Sequence, residues 1–230
     1  MVVGNGMIAN TFKSYRDDND VIIFASGVSN SKETNAENYR REFELLKEII
    51  SQHPLKTLVY FSTCSVEDKD LASSPYVIHK KAIEDFIREN AESFYLFRVS
   101  NLAGVSNNPY TLLNYFIFNI LREQPLNVWQ NAYRNIIGVE DMYSIANYFL
   151  QLKESSNKTI NIANTENYSV PYILKQIESH LNKKGVYNTI EKGDDYVIDT
   201  SSIKPIIQKL HIEFNDDYLP SLLKKYYHSK

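Results

Sequence analysis

Short, mostly apolar runs alternate with amphipathic helical segments along the chain, and this alternation is the strongest constraint on its fold. One intervening segment, residues 35–51, places apolar side chains at helical spacing. A strand that is buried on both faces of a parallel sheet has a mostly continuous apolar sequence. The runs span residues 21–25, 57–61, 93–99 and 159–163. The sequence therefore predicts an α/β fold, a Rossmann-like doubly wound parallel sheet.

The composition limits the kinds of partner and site. With 230 residues, the chain suits one domain, or one domain with a small annex. A formal net charge of −3 gives no reason to expect nucleic acid or an anionic membrane as a partner. The single cysteine, Cys64, fits a reducing compartment, and the five histidines lack metal-ligand spacing. We expect a cytoplasmic protein without a metal site or a membrane span.

Two glycines near the start predict a nucleotide-binding turn. Gly4 and Gly6 lie between the apolar residues 1–3 and an expected helix over residues 7–15. Glycines at this spacing, followed by Ala9, let the backbone approach a pyrophosphate that faces the helix N-terminus. Gly-Asn-Gly is also a good generic turn, so this short motif alone leaves both interpretations open.

A tyrosine and a lysine four residues apart predict an acid/base pair. Tyr76 and Lys80 follow Pro75, which suits the first turn of a helix, so both side chains should share one helix face. The ammonium group of Lys80 would lower the pKa of the Tyr76 phenol, which could then exchange a proton with a substrate near neutral pH. Alone, the same spacing is more typical of a solvated surface pair.

Polar side chains follow the run at residues 57–61. Ser62, Thr63, Cys64 and Ser65 should lie at the carboxyl end of a strand, where ligands collect in open α/β sheets. They could equally satisfy backbone groups of the loop. Residues 125–135 are interpreted as polar and irregular, and their aromatic side chains could stack on a nucleotide base or simply pack.

In this order, the motifs resemble the extended short-chain dehydrogenase/reductase family, of the NAD-dependent epimerase/dehydratase type. The resemblance covers nearly the whole chain. The motifs that carry it are Gly4-x-Gly6-x-x-Ala9, residues 21–27, Asn38, Ser62-Thr63-x-x-Val66, Ser74-Pro75-Tyr76-x-x-x-Lys80, Arg98-x-x-Asn101-x-x-Gly104, residues 134–141, residues 161–164 and residues 199–201.

The resemblance implies roles for individual residues. The catalytic set would be Thr63, Tyr76 and Lys80. NAD or NADP would be bound by Gly4, Gly6, Met7, Ile8, Ala25, Ser26 and Gly27, together with Tyr76 and Lys80. A nucleotide-sugar substrate would contact Thr63, Asn101 and Arg134, although a surface salt bridge is an equal alternative for Arg134.

The resemblance also implies a division of the chain. Residues 1–125 would form the dinucleotide-binding core, and residues 126–230 would mainly bind the substrate. A strand near residues 159–163 could return to the core. Faces that include Tyr39, Phe43, Leu46 and Ile50 on one helix, and Ile83 and Phe86 on another, could form a homodimer or belong to the core.

Two departures from the family pattern concern the binding pocket. The family has a strand–helix–strand unit between the glycine helix and the next strand, and here only residues 16–20 lie there. That unit would carry the adenosine side of the cofactor pocket, so the choice between NAD and NADP stays open. The loop over residues 67–73, on the expected substrate side, is also short.

The resemblance implies hydride transfer between a nicotinamide and a sugar carbon. No acidic pair of the kind that serves a dehydratase follows Thr63, because the next residues are Cys64 and Ser65. We therefore expect a 4-keto-sugar reductase, or an epimerase, that acts on a nucleotide-linked sugar in surface-polysaccharide synthesis. The alternative is a protein on a retained fold that binds a nucleotide or partner with little or no catalysis.

Overall fold

Five parallel strands form the central sheet, in the order β1-β2-β3-β4-β8. A computed structural model describes residues 1–152, 156–193 and 195–227. The first seven elements are β1 (Val2–Val3), α1 (Met7–Thr11), β2 (Val21–Phe24), α2 (Ala36–Gln52), β3 (Thr57–Thr63), α3 (Pro75–Asn90) and β4 (Phe94–Val99). The next six are β5 (Asn101–Ala103), α4 (Leu112–Leu121), β6 (Leu126–Trp129), β7 (Tyr133–Gly138), α5 (Val139–Gln151) and β8 (Lys158–Ile162). The predicted α/β parallel sheet is confirmed.

Helices cover both faces of this sheet, as its apolar strands require. On one face, side chains of α2 and α3 pack on β2, β3 and β4 around the buried Tyr60 and Leu96. On the other face, α1 and α5 pack around Ile23 and Phe97. Neighbouring positions on a strand, such as Ile22 and Ile23, thus contribute to different cores, which explains the continuous apolar sequence.

The connection from β1 through α1 to β2 has an unusual hand. The strands β1, β2, β3 and β4 follow one another across the sheet in one direction, yet α1 lies on the opposite face from α2 and α3. The first crossover therefore has the opposite hand to the next two, and crossovers of a single hand are the strong rule. In the family pattern, α1 leads to an outer strand–helix–strand unit. Here α1 connects directly to β2 while lying on the other face of the sheet, and this connection has the unusual hand. It leaves β1 at the sheet edge in the described part of the chain.

Gly4 makes the tight turn between β1 and α1, and its replacement by alanine should be costly. Its φ is +122°, and an added Cβ would lie 2.5 Å from the carbonyl oxygen of Ala25. We expect Gly4→Ala to lower the free energy of unfolding by at least about 2 kcal/mol. At Gly6 an added Cβ meets nothing within 4 Å, so Gly6→Ala is the matched control, with a change below about 1 kcal/mol. Equal denaturant midpoints for the two variants would contradict this account.

The remaining elements are β9 (Asn167–Ser169), α6 (Val170–Leu181), β10 (Tyr187–Ile190), α7 (Lys204–Lys209) and α8 (Tyr218–Tyr226). Helix α7 packs against α5 in the core of the central sheet. The other four belong to a smaller part at the carboxyl ends of the central strands. Strands β5, β7 and β9 form one small sheet, and β6 pairs with β10 in another. Helices α4, α6 and α8 pack against these sheets around Ile136 and Ile173. Of the predicted substrate part, residues 153–155, 194 and 228–230 lie outside the described residues.

The interpretation of residues 125–135 as irregular is wrong. This stretch contains β6 and the start of β7. The pairing partners of β6 lie about 60 residues later, at Tyr187–Ile190, and β7 pairs with β5 and β9. Strands stabilised by such distant pairing need no strong local apolar pattern.

Two other expectations concern the core. Strand β8 pairs with β4, so the chain does return to the central sheet over the expected residues. Leu46 and Ile83, which were expected in either a dimer face or the core, are 0% exposed and lie in the core. Phe43 and Phe86 contact each other, with ring centroids 4.8 Å apart, and are only partly buried. Fewer side chains are therefore available for the predicted dimer than the sequence suggested, because Leu46 and Ile83 are not part of the surface.

Candidate active site

The predicted catalytic residues meet where β3 ends and α3 begins. Thr63 is the last residue of β3, and Tyr76 and Lys80 lie on the first turns of α3. Pro75 occupies the first turn of this helix, where no backbone donor is required. All three side chains are buried. The helical spacing thus places Tyr76 and Lys80 on the inner face of α3, and the solvated surface pair is excluded.

Thr63 and Tyr76 form the polar centre of this arrangement. The Thr63 side chain lies near the Tyr76 hydroxyl and acts to lower the pKa of this phenol, against the larger effect of burial. The same threonine hydroxyl accepts a hydrogen bond of 3.1 Å from the backbone N–H of Ser65, which fixes the side chain at the end of the strand. A substrate oxygen beside both hydroxyls would meet one group that can donate a proton and one that can stabilise developing charge.

Lys80 makes a buried ion pair that the sequence analysis did not predict. Its Nζ donates to Oε1 of Glu42 at 2.9 Å and to the Tyr60 hydroxyl at 2.8 Å. Tyr60 in turn donates to Oε1 of Glu42. The Lys80 side chain is 2% exposed and that of Glu42 is 0% exposed. An ammonium group has three donors, and two of them are used here.

The second carboxylate oxygen of Glu42 also has hydrogen-bond partners. Oε2 accepts the backbone N–H of Val28 at 2.7 Å and lies 3.0 Å from Nε2 of His79. Burial alone would raise the pKa of this carboxyl, but Lys80, His79 and Tyr60 outweigh it and lower the pKa to about 2. Glu42 is therefore a fully hydrogen-bonded carboxylate at neutral pH.

The expectation that Lys80 lowers the pKa of Tyr76 is wrong for this structure. Burial raises the pKa of Tyr76 well above its usual value, and the negative charge of Glu42 raises it further, while the Thr63 side chain acts weakly in the opposite direction. The Lys80 ammonium lies 5.8 Å from the Tyr76 ring centroid. Because Glu42 neutralises that ammonium at closer range, Tyr76 stays a neutral phenol.

The low pKa of Glu42 predicts an acid-sensitive contribution to stability. A carboxyl with a pKa of about 2 when folded and about 4.3 when unfolded contributes about 3 kcal/mol at neutral pH. This contribution is complete above the unfolded pKa and disappears as the pH falls from about 4.3 towards 2. We expect Glu42→Gln to destabilise the fold at neutral pH and to cost much less near pH 3, as measured by urea unfolding. A cost that does not change with pH would contradict this.

The predicted cofactor residues form a continuous strip that leads to this centre. The turn at Gly4 lies against Ala25, so β1 and β2 end side by side. Ser26 follows, and its carbonyl accepts a hydrogen bond from Arg41. Gly27 lies next to Lys80, because an added Cβ would be 2.9 Å from Nζ. The structure thus joins the glycine turn to the catalytic residues through the loop after β2.

The start of α1 completes this strip. Gly6 precedes the helix, and the space where its Cβ would lie is open. Met7 and Ile8 are only partly buried and pack on the core. Met7 also packs on Gly104, where an added Cβ would lie 2.5 Å from its sulfur. The open space at Gly6 fits the pyrophosphate of a dinucleotide. The hydroxyl of Tyr76 and the ammonium of Lys80 are donors that fit its nicotinamide end.

The predicted substrate residues lie near the same edge, on β5 and β7. Asn101 donates its amide to the backbone carbonyl of Asn135 at 2.8 Å, and so joins these two strands. Arg134 is half-buried and donates to the carbonyl of Tyr133. Their roles towards a substrate stay predictions. Cys64 is fully buried, which raises the pKa of its thiol far above the usual value and excludes it as a nucleophile.

A second buried ion pair lies beyond the catalytic residues. Glu84 on α3 is 1% exposed and accepts hydrogen bonds from Arg98 on β4, from Arg88 and from Ser62. It is not among the groups that shift the pKa of Tyr76. This pair connects α3 to the sheet and provides a matched control for Glu42.

Glu42, Tyr60 and His79 are the site residues that the sequence analysis missed. A signal for Glu42 was present, because it lies between Tyr39 and Leu46 on the apolar stripe of α2. An acid on a buried helix face requires a partner. The sequence could not identify that partner, since Lys80 lies 38 positions away.

In the described ranges, no group of His, Cys, Asp and Glu side chains could hold a metal ion. No helix in the same ranges is both long and apolar enough to cross a bilayer.

Comparisons with solved structures agree with the fold. A UDP-glucuronic acid 4-epimerase from Bacillus cereus, solved with UDP-glucuronic acid and NAD, matches with a TM-score of 0.73 and 19% identity over 95% of this chain and 77% of that one. A UDP-glucose 4-epimerase from Thermus thermophilus, solved with NAD, gives 0.69 and 14% over 97% and 83%. A dTDP-glucose 4,6-dehydratase from Bacillus anthracis, solved with NAD, gives 0.67 and 19% over 95% and 77%.

The sequence comparisons identify the family. A search of curated proteins finds no match. The model of the NAD-dependent epimerase/dehydratase family matches residues 8–163, well over half of the chain. The match includes Thr63, Tyr76 and Lys80, the residues whose geometry is described above. The chain therefore belongs to the NAD-dependent epimerase/dehydratase family, a family of extended short-chain dehydrogenase/reductase enzymes.

Proposed function

We propose that this chain is an NAD(P)-dependent reductase of a 4-keto group on a nucleotide-linked sugar, with a role in surface-polysaccharide synthesis. One observation carries the proposal: the buried side chains of Thr63, Tyr76 and Lys80 lie together at the end of the strip that begins at the glycine turn. The family supplies the cofactor, NAD. Several neighbours were solved with NAD, and the Bacillus cereus epimerase also with UDP-glucuronic acid.

Each residue of the centre has a separate role in the proposed reaction. A bound nicotinamide supplies the hydride, and the protein supplies placement and the proton. Tyr76 donates its phenolic proton to the carbonyl oxygen of the substrate. Thr63 hydrogen-bonds the same oxygen and stabilises the charge that develops there. The third donor of Lys80, which Glu42 and Tyr60 leave free, is available to a ribose hydroxyl.

Reduction is favoured over dehydration because the site lacks a free acid beside Thr63. The nearest acidic residue after it in sequence, Glu67, pairs with Arg98 at 2.9 Å. Elimination of water needs an acid and a base besides the redox pair, and simple keto-reduction does not. Epimerisation remains the alternative reaction, since it uses the same tyrosine in both directions.

A substrate panel tests this proposal. Purified protein would be mixed with NADH or NADPH and a set of nucleotide-4-keto-sugars, and the absorbance of the reduced cofactor followed. We expect turnover with at least one substrate. No turnover with any combination, under conditions where the fold is intact, would overturn the proposal.

The adenosine side of the pocket favours a second candidate, a nucleotide- or partner-binding protein with little catalysis. Strand β1 is the sheet edge in the described ranges, so the strand–helix–strand unit that would contact the adenosine is absent there. Calorimetric titration with NAD, NADH, NADP and NADPH tests the cofactor pocket. Absence of binding by all four supports the partner-binding protein. If at least one nucleotide binds, turnover on the substrate panel separates the enzyme from a nucleotide-binding protein without catalysis.

A homodimer and a cytoplasmic location remain predictions. The dimer would use the partly buried Phe43 and Phe86 pair on α2 and α3. Size-exclusion chromatography with light scattering tests it directly. A monomer at the highest concentration measured would contradict the dimer.

A further inference from the structure

Glu42 places a buried negative charge directly against the lysine of the acid/base centre. We propose that Glu42 is a positioning residue: it binds Lys80 and keeps Tyr76 in the protonated form, so that the centre donates a proton and reduces a carbonyl. The retention of the proton follows from this chain's own contacts. The direction of the reaction rests on the proposed function.

The contacts of Lys80 leave it bound to α2 and β3. Its Nζ lies 2.9 Å from Oε1 of Glu42 and 2.8 Å from the Tyr60 hydroxyl, whereas the Tyr76 ring centroid is 5.8 Å away. The lysine is 2% exposed, so water does not screen the pair. A bare ammonium beside Tyr76 would favour phenolate. An ammonium that is already paired with a carboxylate does so far less.

Other titratable groups also surround the Glu42–Lys80 pair. Helix α2 contributes Tyr39 and Glu42, strand β3 contributes Tyr60, and α3 contributes His79, Lys80 and Tyr76. Burial raises the pKa of the Tyr60 phenol, and the charge of Glu42 raises it further, so Tyr60 also stays neutral. The carboxylate and the ammonium therefore set the local electrostatic balance.

The pair also lies beside the predicted cofactor strip. A Cβ on Gly27 would be 2.8 Å from Oε1 of Glu42 and 2.9 Å from Nζ of Lys80. A side chain at this position would displace the carboxylate or the ammonium from its present place. The ion pair therefore lies directly against the loop after β2, while Glu42 and Tyr60 hold Lys80 in position.

The protonated phenol is the form of Tyr76 that carbonyl reduction requires. In the reductive direction, the carbonyl carbon accepts a hydride from the reduced nicotinamide and the carbonyl oxygen takes the proton of Tyr76. The products are an alcohol, the oxidised nicotinamide and a Tyr76 phenolate, which then regains a proton from solvent. The oxidative direction needs that phenolate at the start. At neutral pH, a centre that retains this proton starts in the form that reduces a carbonyl, and only the small phenolate fraction can start alcohol oxidation.

Nuclear magnetic resonance of protein labelled with ¹³C at the tyrosine ζ-carbon tests the inference without substrate. The Tyr76 resonance is assigned with Tyr76→Phe. In the wild type, we expect this resonance to keep its phenol shift up to the highest pH at which the fold persists. In Glu42→Gln, it should move to the phenolate shift within that range, with a midpoint lower by at least about one pH unit. Glu84→Gln, which removes the other buried glutamate of this region, should leave Tyr76 unchanged.

A second pair of variants covers the case in which Glu42→Gln does not fold. Glu42→Gln combined with Lys80→Met removes both charges, and Tyr76 should ionise more readily in this double variant than in Lys80→Met alone. Identical Tyr76 titrations with and without Glu42, in either background, would overturn the inference. Loss of turnover on the whole substrate panel would overturn the proposed function, whereas the Tyr76 titration would still decide the role of Glu42. In active protein, Glu42→Gln should also shift the pH profile of alcohol oxidation to lower pH.

Discussion

Replacing Tyr76 by phenylalanine is expected to lower kcat for carbonyl reduction by roughly 10²- to 10⁴-fold, which is the usual contribution of a general acid. The phenylalanine ring keeps the apolar contacts of Tyr76 with Val28, Val66 and Val77. Only the hydroxyl and its polar interaction with Thr63 are lost. Cofactor affinity and unfolding free energy should therefore change little, and steady-state kinetics with calorimetry would separate these effects.

The matched control for this variant is Tyr148→Phe. Tyr148 lies on α5, and its hydroxyl accepts a hydrogen bond from Lys209 rather than from a residue of the catalytic centre. Its removal should leave kcat unchanged. If Tyr76→Phe retained the wild-type kcat, another group would have to supply the proton, and the assignment of Tyr76 would be wrong.

Replacing Lys80 by methionine is expected to cost roughly 3–5 kcal/mol of unfolding free energy. The variant leaves Glu42, which is 0% exposed, without its cationic partner. Changing Glu42 to glutamine in the same protein removes the unpaired charge, so the double variant should recover most of the loss. Urea unfolding of the wild type, both single variants and the double variant gives the coupling energy.

The neighbouring Lys81 is the control for the lysine itself. It is exposed on the same helix, and Lys81→Met should change the unfolding free energy by no more than about 0.5 kcal/mol. Additive effects of the Lys80 and Glu42 substitutions would contradict the account, because they would mean that the buried pair makes no net contribution.

The sequence predicted the placement of Thr63, Tyr76 and Lys80 better than their electrostatic environment. Tyr76 and Lys80 share a helix, so their spacing alone determines that they lie on one face. Thr63 could be placed because it ends a strongly apolar strand. Glu42 belongs to a different helix, and only the packing of α2 against α3 brings it to Lys80. The pKa of Tyr76 depends on that packing, which explains why its predicted direction was wrong.

In the fold too, features that depend on local sequence were predictable, and features that depend on distant contacts were not. The strands of the central sheet were predictable because burial on both faces produces continuous apolar runs. Strands β6 and β7 were not, because their pairing partners are distant in sequence and their exposed positions are polar. The hand of the first crossover is likewise a property of the whole sheet. It depends on which face α1 occupies relative to α2 and α3.

Transfer of deuterium from NADH labelled at the hydride-donating carbon is the most direct test of the central claim. After incubation with a nucleotide-4-keto-sugar that the protein turns over, mass spectrometry would locate the label. A reductase in which Tyr76 donates the proton predicts one deuterium on C4 of the product sugar for each NADH oxidised, and strong loss of this transfer in Tyr76→Phe. Inversion at C4 without net NADH consumption, or no labelled product at all, would contradict the account.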